Sequence, residues 1–286
     1  MRNPKSFRIW SARILLTIMA LIILLPMVQT FLYSFSSITE MKSWLKTRGK
    51  LDDSRWMESH LSPDVISLGQ YEQILFKDEQ ILHFFTNSVI YAAAILLGQA
   101  LVVPALAFGL SKFKFRGRET IFFLIVLLML MPFQVTMVPN VLTLRFMGLT
   151  NTVWAVILPM LFAPFFIFLI RQFMITLPDE LLEASSIDGA GPFRSFLWIV
   201  LPVCRPVLGA AAALSFAESW NLVEQPLTYL TEAQNLMPLS TLFNQMTKRT
   251  SGYEFAGAAL YILPALLIYL FFQEDILAGI QLTEMK

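Results

Sequence analysis

Long apolar runs, rather than alternation, dominate the chain. Four stretches carry no Asp, Glu, Lys or Arg: residues 14–35, 88–111, 120–140 and 151–170. A fifth runs from 255 to 273. A sixth, 206–225, is apolar as far as Ala217, before Glu218 and Glu224. A helix that crosses a bilayer needs about 20 apolar residues. The pattern therefore predicts six spanning helices, at about 14–35, 88–111, 120–140, 151–170, 203–225 and 255–273. In lipid the backbone polar groups must be satisfied internally, which leaves helices or a closed barrel. Barrel strands would alternate over about ten residues, and these runs do not.

The first run follows a basic stretch (Arg2, Lys5, Arg8, Arg13) and resembles a secretory leader. It is longer than the usual leader core, and no small-residue cleavage pattern follows it. It reads as an uncleaved first span after a short terminus, residues 1–13. Basic residues set the orientation. They gather in the N-terminus, in the turn after the second run (Lys112, Lys114, Arg116, Arg118), and between the fourth and fifth runs (Arg171, Arg194, Arg205). Both termini and the tail 274–286 are expected in the cytoplasm of a bacterial or archaeal cell. The long segment 36–86, with Trp56 and His60, is expected outside.

Composition agrees with a membrane protein. Of 286 residues, 56% are apolar and 14% charged, against about 25% charged in soluble domains. A net charge of +1 argues against nucleic acid as a partner. A lone cysteine, Cys204, excludes an intramolecular disulfide and a cysteine metal cluster. His60 and His83 are the only histidines, so neither a paired-ligand metal site nor a Ser/His/Asp arrangement is predicted. There is no G-x-x-x-x-G-K-[ST] phosphate loop. No catalytic residue and no cofactor of the chain's own is expected, and energy for transport would come from an ion gradient or a separate ATPase.

The segment between the fourth and fifth runs is acidic where it should be helical. Thr176-Leu-Pro-Asp179 has the form of a capping box with proline in the first turn, which predicts a helix from there to about Ile187. Gly189 and Gly191 would end it. A helix lying on the membrane surface should show basic residues. This one carries Asp179, Glu180 and Glu183, which suit a basic groove on a protein partner better than an anionic leaflet. The alternative for Glu183 is an ordinary solvated helix residue.

Within this segment, Glu183-Ala184-Ser185 is followed by Gly189, ten residues later by Ile199, and then by Leu201-Pro202. This spacing resembles the EAA loop of permease subunits of binding-protein-dependent ABC importers, with Ser185 where alanine is usual. Asp188-Gly189-Ala190 and Arg205-Pro206 resemble the carbohydrate-uptake members, and the whole chain resembles the shorter permease of maltose-type importers. Asn87-Ser88, Lys114-Phe115-Arg116-Gly117 and Ser219-Trp220-Asn221 extend the likeness across 87–273. The chain departs from the pattern at Leu222, where an acidic residue is usual, and in its last residues, GIQLTEMK. The resemblance implies an all-α type I importer permease fold of six transmembrane helices, with a short helix in the loop 176–202 that couples to an ATPase. Glu183, Ala184, Ser185, Asp188, Gly189, Ala190, Leu201 and Pro202 would carry that coupling. It further implies a second permease subunit, two ATPase subunits holding ATP and Mg, an extracellular solute-binding protein, and surrounding lipid.

Glu218, Asn221, Glu224 and Gln225 are spaced three and four apart, which places them on one face if a single helix continues through them. Charged groups in a span face the protein interior or a watery path. They are candidates for contact with a hydroxyl-rich solute, for bonds to the partner permease, or for an outer helix end standing in water. Intramembrane carboxylates would equally suit a secondary transporter driven by an ion gradient, which would leave the acidic loop helix without a purpose. Gln99 and Gln134 are weaker candidates on the path. Pro104, Pro132 and Pro264 are expected to kink their spans.

Overall fold

The computed structural model describes residues 4–48, 62–246 and 252–284. Trp56 and His60 lie outside these. The chain divides into two compact units, Met1–Leu82 with Phe243–Leu263, and His83–Leu242 with Pro264–Lys286. Among the described residues there is no β-strand, only an isolated bridge between Ser36 and Ile66.

The first unit contains α1 (Pro4–Tyr33), α2 (Ile38–Arg48), α3 (Gly69–Glu72) with a π turn at Gln73–Lys77, and the start of α4 (Glu79–Lys112). None of α1's apolar window is buried within the chain, as befits a helix whose solvent is lipid or another subunit. The segment 36–86, expected as a loop, thus carries α2, α3 and the first turns of α4. Run counting detects spans only. These short helices are held by tertiary contacts such as the Tyr33–Trp44 ring pair at 5.4 Å. Gln70 is fully buried and closes two helix ends. Its Nε2 donates to the Tyr33 and Ser36 carbonyls at 2.8 and 2.9 Å, and its Oε1 accepts from the Ala256 N–H. The Tyr33 carbonyl and the Ala256 N–H are groups that the termini of α1 and α15 leave without intrahelical partners, and Ser36 lies in the link between α1 and α2.

The second unit contains the rest of α4, α5 (Arg118–Leu130), α6 (Phe133–Phe146), α7 (Val153–Leu161), α8 (Pro164–Ile175), α9 (Glu180–Ile187), α10 (Pro192–Ser195), a π turn at Phe196–Val200, α11 (Leu201–Val203), α12 (Arg205–Trp220), α13 (Glu224–Tyr229) and the start of α14 (Leu239–Met246). It also takes the later part of α15 (Glu254–Glu284). Among the described residues, four helices are long and apolar enough to cross a bilayer: Trp10–Tyr33, Glu79–Lys112, Val153–Ile175 and Glu254–Ile276. Two bent pairs bring the number to six if each counts as one span.

The bends correct the sequence expectation. The run 120–140 is not one helix: α5 and α6 meet at 108°. Met131 is extended, with ψ 124°, because the Pro132 ring disfavours the helical region for the residue before it. The run 203–225 is also divided. A 77° bend at Cys204 separates α11 from α12, with Pro206 in the first turn, where its missing N–H costs nothing. The helix then stops at Trp220. Pro104 and Pro264, by contrast, lie inside the continuous α4 and α15. The C-terminal segment 274–286, expected as a tail, is helical through Glu284.

One further break creates a polar need inside the membrane. Pro164 has no N–H to give to the Met160 carbonyl one turn earlier. Gln99 of α4 supplies the donor: its Nε2 lies 2.6 Å from that carbonyl, and its Oε1 accepts from the Ser215 hydroxyl at 2.6 Å. Both residues are buried. Gln99 is therefore committed to joining α4, α7 and α12 rather than to a solute path. Gln99→Leu should lower the thermal midpoint in detergent, at a cost of about 1 kcal/mol, typical of such bonds between membrane helices. An unchanged midpoint would show that the bridge carries no stability.

Candidate loop-helix site

The loop between α8 and α12 is built on the core beneath it. Ile167, Ile170 and Met174 of α8 pack with Ala107 and Phe108 of α4, and with Phe196 and Val200 from the π turn that follows α10. The Phe108 and Phe196 rings lie 5.1 Å apart. On that floor α9 turns Leu182 and Ser185 inward and leaves Glu180, Glu183, Ala184, Ile187 and Asp188 exposed. Ile187 is 86% exposed, and Phe193, just beyond, is 72% exposed. The outward surface is therefore acidic and apolar together, which suits a groove that offers both basic and apolar contacts.

The helix ends as its glycine predicts. Gly189 has φ +80°. The Ala190 N–H donates to the Ser185 carbonyl at 2.9 Å and the Gly189 N–H to that of Ser186 at 3.1 Å, which is the Schellman arrangement. Gly191 plays no such part, since its φ is −72°. The start differs from expectation. Thr176 does not cap α9: its hydroxyl donates back to the Phe173 carbonyl at 2.8 Å. Asp179 makes no cap bond either, because its carboxylate accepts from Lys112 Nζ at 2.7 Å. Lys112's hydrogen bond and charge, assisted by the charge of Lys114, hold the Asp179 carboxyl below its ordinary range. A depressed carboxyl pKa contributes stability above its unfolded value, and that contribution is lost only as pH falls through the lowered value. The tie is thus intact at neutral pH. Ser185, which stands where alanine is usual, is buried and within 2.8 Å of the Ser195 hydroxyl, closing the loop on itself. Composition gave no sign of either tie, and Lys112 counted only as a topological charge.

Leu201 and Pro202 form the short α11 and line a cavity of about 660 Å³ with Arg205, Gly209, Ser215 and Asp275. A Cβ on Gly209 would stand 2.5 Å from the Asp275 carboxylate, so α15 approaches α12 closely there.

The polar candidates at the end of α12 and beyond it do not share one helix. Glu218 belongs to α12, Asn221 sits in the break, and Glu224 and Gln225 open α13. Asn221 donates to the Ala217 carbonyl at 2.8 Å. Gln225 Nε2 lies 4.0 Å from Met160 Sδ. Glu224 is exposed, and its carboxylate oxygens are each 3.4 Å from Nε2 of Gln134, near the start of α6. The structure therefore joins Gln134 to Glu224 through the α5–α6 bend. Leu222, at the departure from the family pattern, is buried, and its carbonyl accepts from the Ser240 hydroxyl.

Residues 100–274 match the family described as the binding-protein-dependent transport system inner membrane component. The chain belongs to this family. The chain is similar to the arabinooligosaccharides transport system permease protein AraQ of Halalkalibacterium halodurans, 28% identical over 287 residues covering 100% of this chain and 99% of that protein. The sn-glycerol-3-phosphate transport system permease protein UgpE of Pectobacterium atrosepticum is 30% identical over 68% of this chain and 70% of its own. The crystal structure of a bacterial ABC transporter involved in the import of alginate has a chain that superimposes with a TM-score of 0.78. That chain is 23% identical, over 96% of this chain and 98% of its own. The fold is thus the all-α ABC importer permease fold, in a multi-pass protein of the inner membrane.

Proposed function

We propose that this permease forms half of the translocation pore of an ABC importer for a sugar or oligosaccharide, driven by ATP hydrolysis on a separate subunit. The observation that carries this is α9, a short helix closed by a Schellman turn that presents Glu183 and Ile187 outward from a packed floor. In this reading α9 and Gly189 face the cytoplasm and seat in a cleft of the ATPase, with Glu183 as the charge that fixes the docked helix. ATP and Mg stay on that subunit. Closure of the ATPase pair then biases which side of the pore is open, a two-state coupling between distant sites. Both termini lie in the cytoplasm. A second permease completes the pore, two ATPase subunits bind below, and an extracellular solute-binding protein delivers the ligand. The full-length likeness to an arabinooligosaccharide permease supports a carbohydrate as the solute. Glu224 with Gln134, and Asn221 and Gln225 beside them, offer the carboxylate and amide groups that bond sugar hydroxyls. An ion-driven transporter would leave the outward surface of α9 without a role.

The test is co-purification followed by reconstitution with the neighbouring genes' products. The expected result is a complex of this chain, one similar permease and two ATPase subunits that takes up a carbohydrate only with ATP. A pure homodimer that transports with an ion gradient alone would overturn the proposal.

A further inference from the structure

The loop helix is joined to the spans by more than its own chain. Lys112 is the last residue of α4, and its side chain is 7% exposed although it carries a charge. Its Nζ donates to the Leu177 carbonyl at 2.6 Å and to Asp179 Oδ1 at 2.7 Å, between the end of α8 and the start of α9. Asp179 is 71% exposed, so the tie reaches from a covered base to the surface on which α9 stands. Lys112, Leu177, Pro178, Leu181, Leu182 and Val200 close around it, leaving a space of about 10 Å³. That is no more than the minimum for a single water. If α9 shifted away from α4, Lys112 would lose both acceptors at once, which is costly for a covered charge.

A second buried cation continues the connection. Arg171 of α8, 6% exposed, donates from Nε to the Leu110 carbonyl of α4 at 3.0 Å, and from Nη2 to both Glu119 oxygens of α5 at 3.3 Å. Its guanidinium carbon lies 3.6 Å above the Phe122 ring. The planar fork and the ring together fix its position more tightly than a point charge would. The loop-side ends of α4, α5 and α8 are thereby fastened by charge-assisted bonds, and Lys112 adds α9 to that set.

We propose that Lys112 is a positioning residue that ties the loop helix to α4 through Leu177 and Asp179, so that displacement of α9 is delivered to α4 and, through Arg171 and Glu119, to α5. This rests on the reading of α9 as the ATPase-docking element. It assigns the transmission of force to residues outside the EAA spacing. α5 leads directly to the bend at Met131–Pro132 and, beyond it, to Gln134 beside Glu224, so the tie connects the loop with the solute side of the permease.

The experiment uses the complete transporter in proteoliposomes, measuring ATP hydrolysis and solute uptake together. Lys112→Met keeps the aliphatic stem and removes both bonds. The expected result is ATPase subunits still bound, hydrolysis within about twofold of normal, and uptake per ATP reduced about tenfold, within the usual span of coupling energies. Asp179→Asn alters an exposed carboxylate and leaves the Leu177 bond, so the expected fall in uptake per ATP is smaller, about threefold. Lys112→Glu with Asp179→Lys restores an ion pair, and uptake per ATP should rise above that of Lys112→Glu alone. Unchanged uptake per ATP in Asp179→Asn, or no recovery in the exchanged pair, would overturn the proposal, even if Lys112→Met fails to assemble. If the unaltered complex neither binds an ATPase nor imports, it is the reading of α9 that fails, so the two failures are distinguishable.

Discussion

Gly189→Val and Glu183→Lys should each remove most import while the permease still inserts in the membrane, and they should do so for different reasons. Gly189 holds φ +80° at the end of α9. The left-handed region costs an L-residue roughly 1–2 kcal/mol, and a β-branched residue is a genuine outlier there. A Cβ at this position would meet nothing within 4 Å, so the damage is to the backbone turn and not to packing inside the chain. The two Schellman bonds are strained, α9 loses its fixed end, and the surface carrying Ile187 and Glu183 no longer fits the proposed ATPase cleft. Glu183 is exposed, and reversing its charge acts on the partner's cleft alone. Glu183→Lys should therefore leave the thermal midpoint unchanged and reduce ATPase co-purification. Gly189→Val should lower both. An acidic substitution for a basic residue in the ATPase cleft should recover Glu183→Lys and not Gly189→Val. Normal uptake by both variants would remove α9 from the coupling role.

Asn87→Leu should be the most damaging of the buried polar substitutions. The first half of α4 holds the segment after α13 through four side chains. Asn87 Nδ2 donates to the Asn235 and Met237 carbonyls at 2.8 and 3.0 Å. His83 Nε2 also lies 2.7 Å from the Asn235 carbonyl. The Ser88 hydroxyl accepts from the Leu239 N–H at 2.8 Å, and the Tyr91 hydroxyl donates to the Leu236 carbonyl at 2.8 Å. Asn87, Ser88 and Tyr91 are buried. Leucine at 87 removes two bonds at once. The Asn235 carbonyl keeps His83, but the Met237 carbonyl loses the Asn87 donor. An unsatisfied buried group costs about 1–3 kcal/mol, so the thermal midpoint should fall by about 3–10 °C, given the usual response of chains near this size. Tyr91→Phe, which loses one bond, should cost about 1 kcal/mol. Differential scanning fluorimetry of the purified complex measures both. Equal midpoints for Asn87→Leu and the unaltered chain would mean that the segment is held by other contacts.

Asn87-Ser88 was legible in the sequence as part of a resemblance, and its physical task became visible only once residues about 150 positions apart were in contact. The same division runs through the molecule. The apolar runs predicted the long apolar helices because hydration cost is local: each residue contributes whatever its neighbours do. Gly189 was legible for a similar reason, since only glycine takes a left-handed turn at a helix end without cost. Proline shows where local reasoning stops. Pro104, Pro132 and Pro264 all lie in apolar runs, yet only Pro132 divides its run into two helices. The missing N–H and the ring clash amount to a few kcal/mol at each site, a sum that tertiary packing can offset or leave standing. The stripe from Glu218 to Gln225 failed on the same ground, because its periodicity assumed a helix that ends at Trp220. In the sequence Lys112 is only a basic residue after a span. Folding returns the chain 67 positions later to set Asp179 and the Leu177 carbonyl against it. Local hydropathy and backbone preference thus determined the runs and the loop helix, whereas pairing across the sequence decided the bends, the bridges and the tie beneath α9.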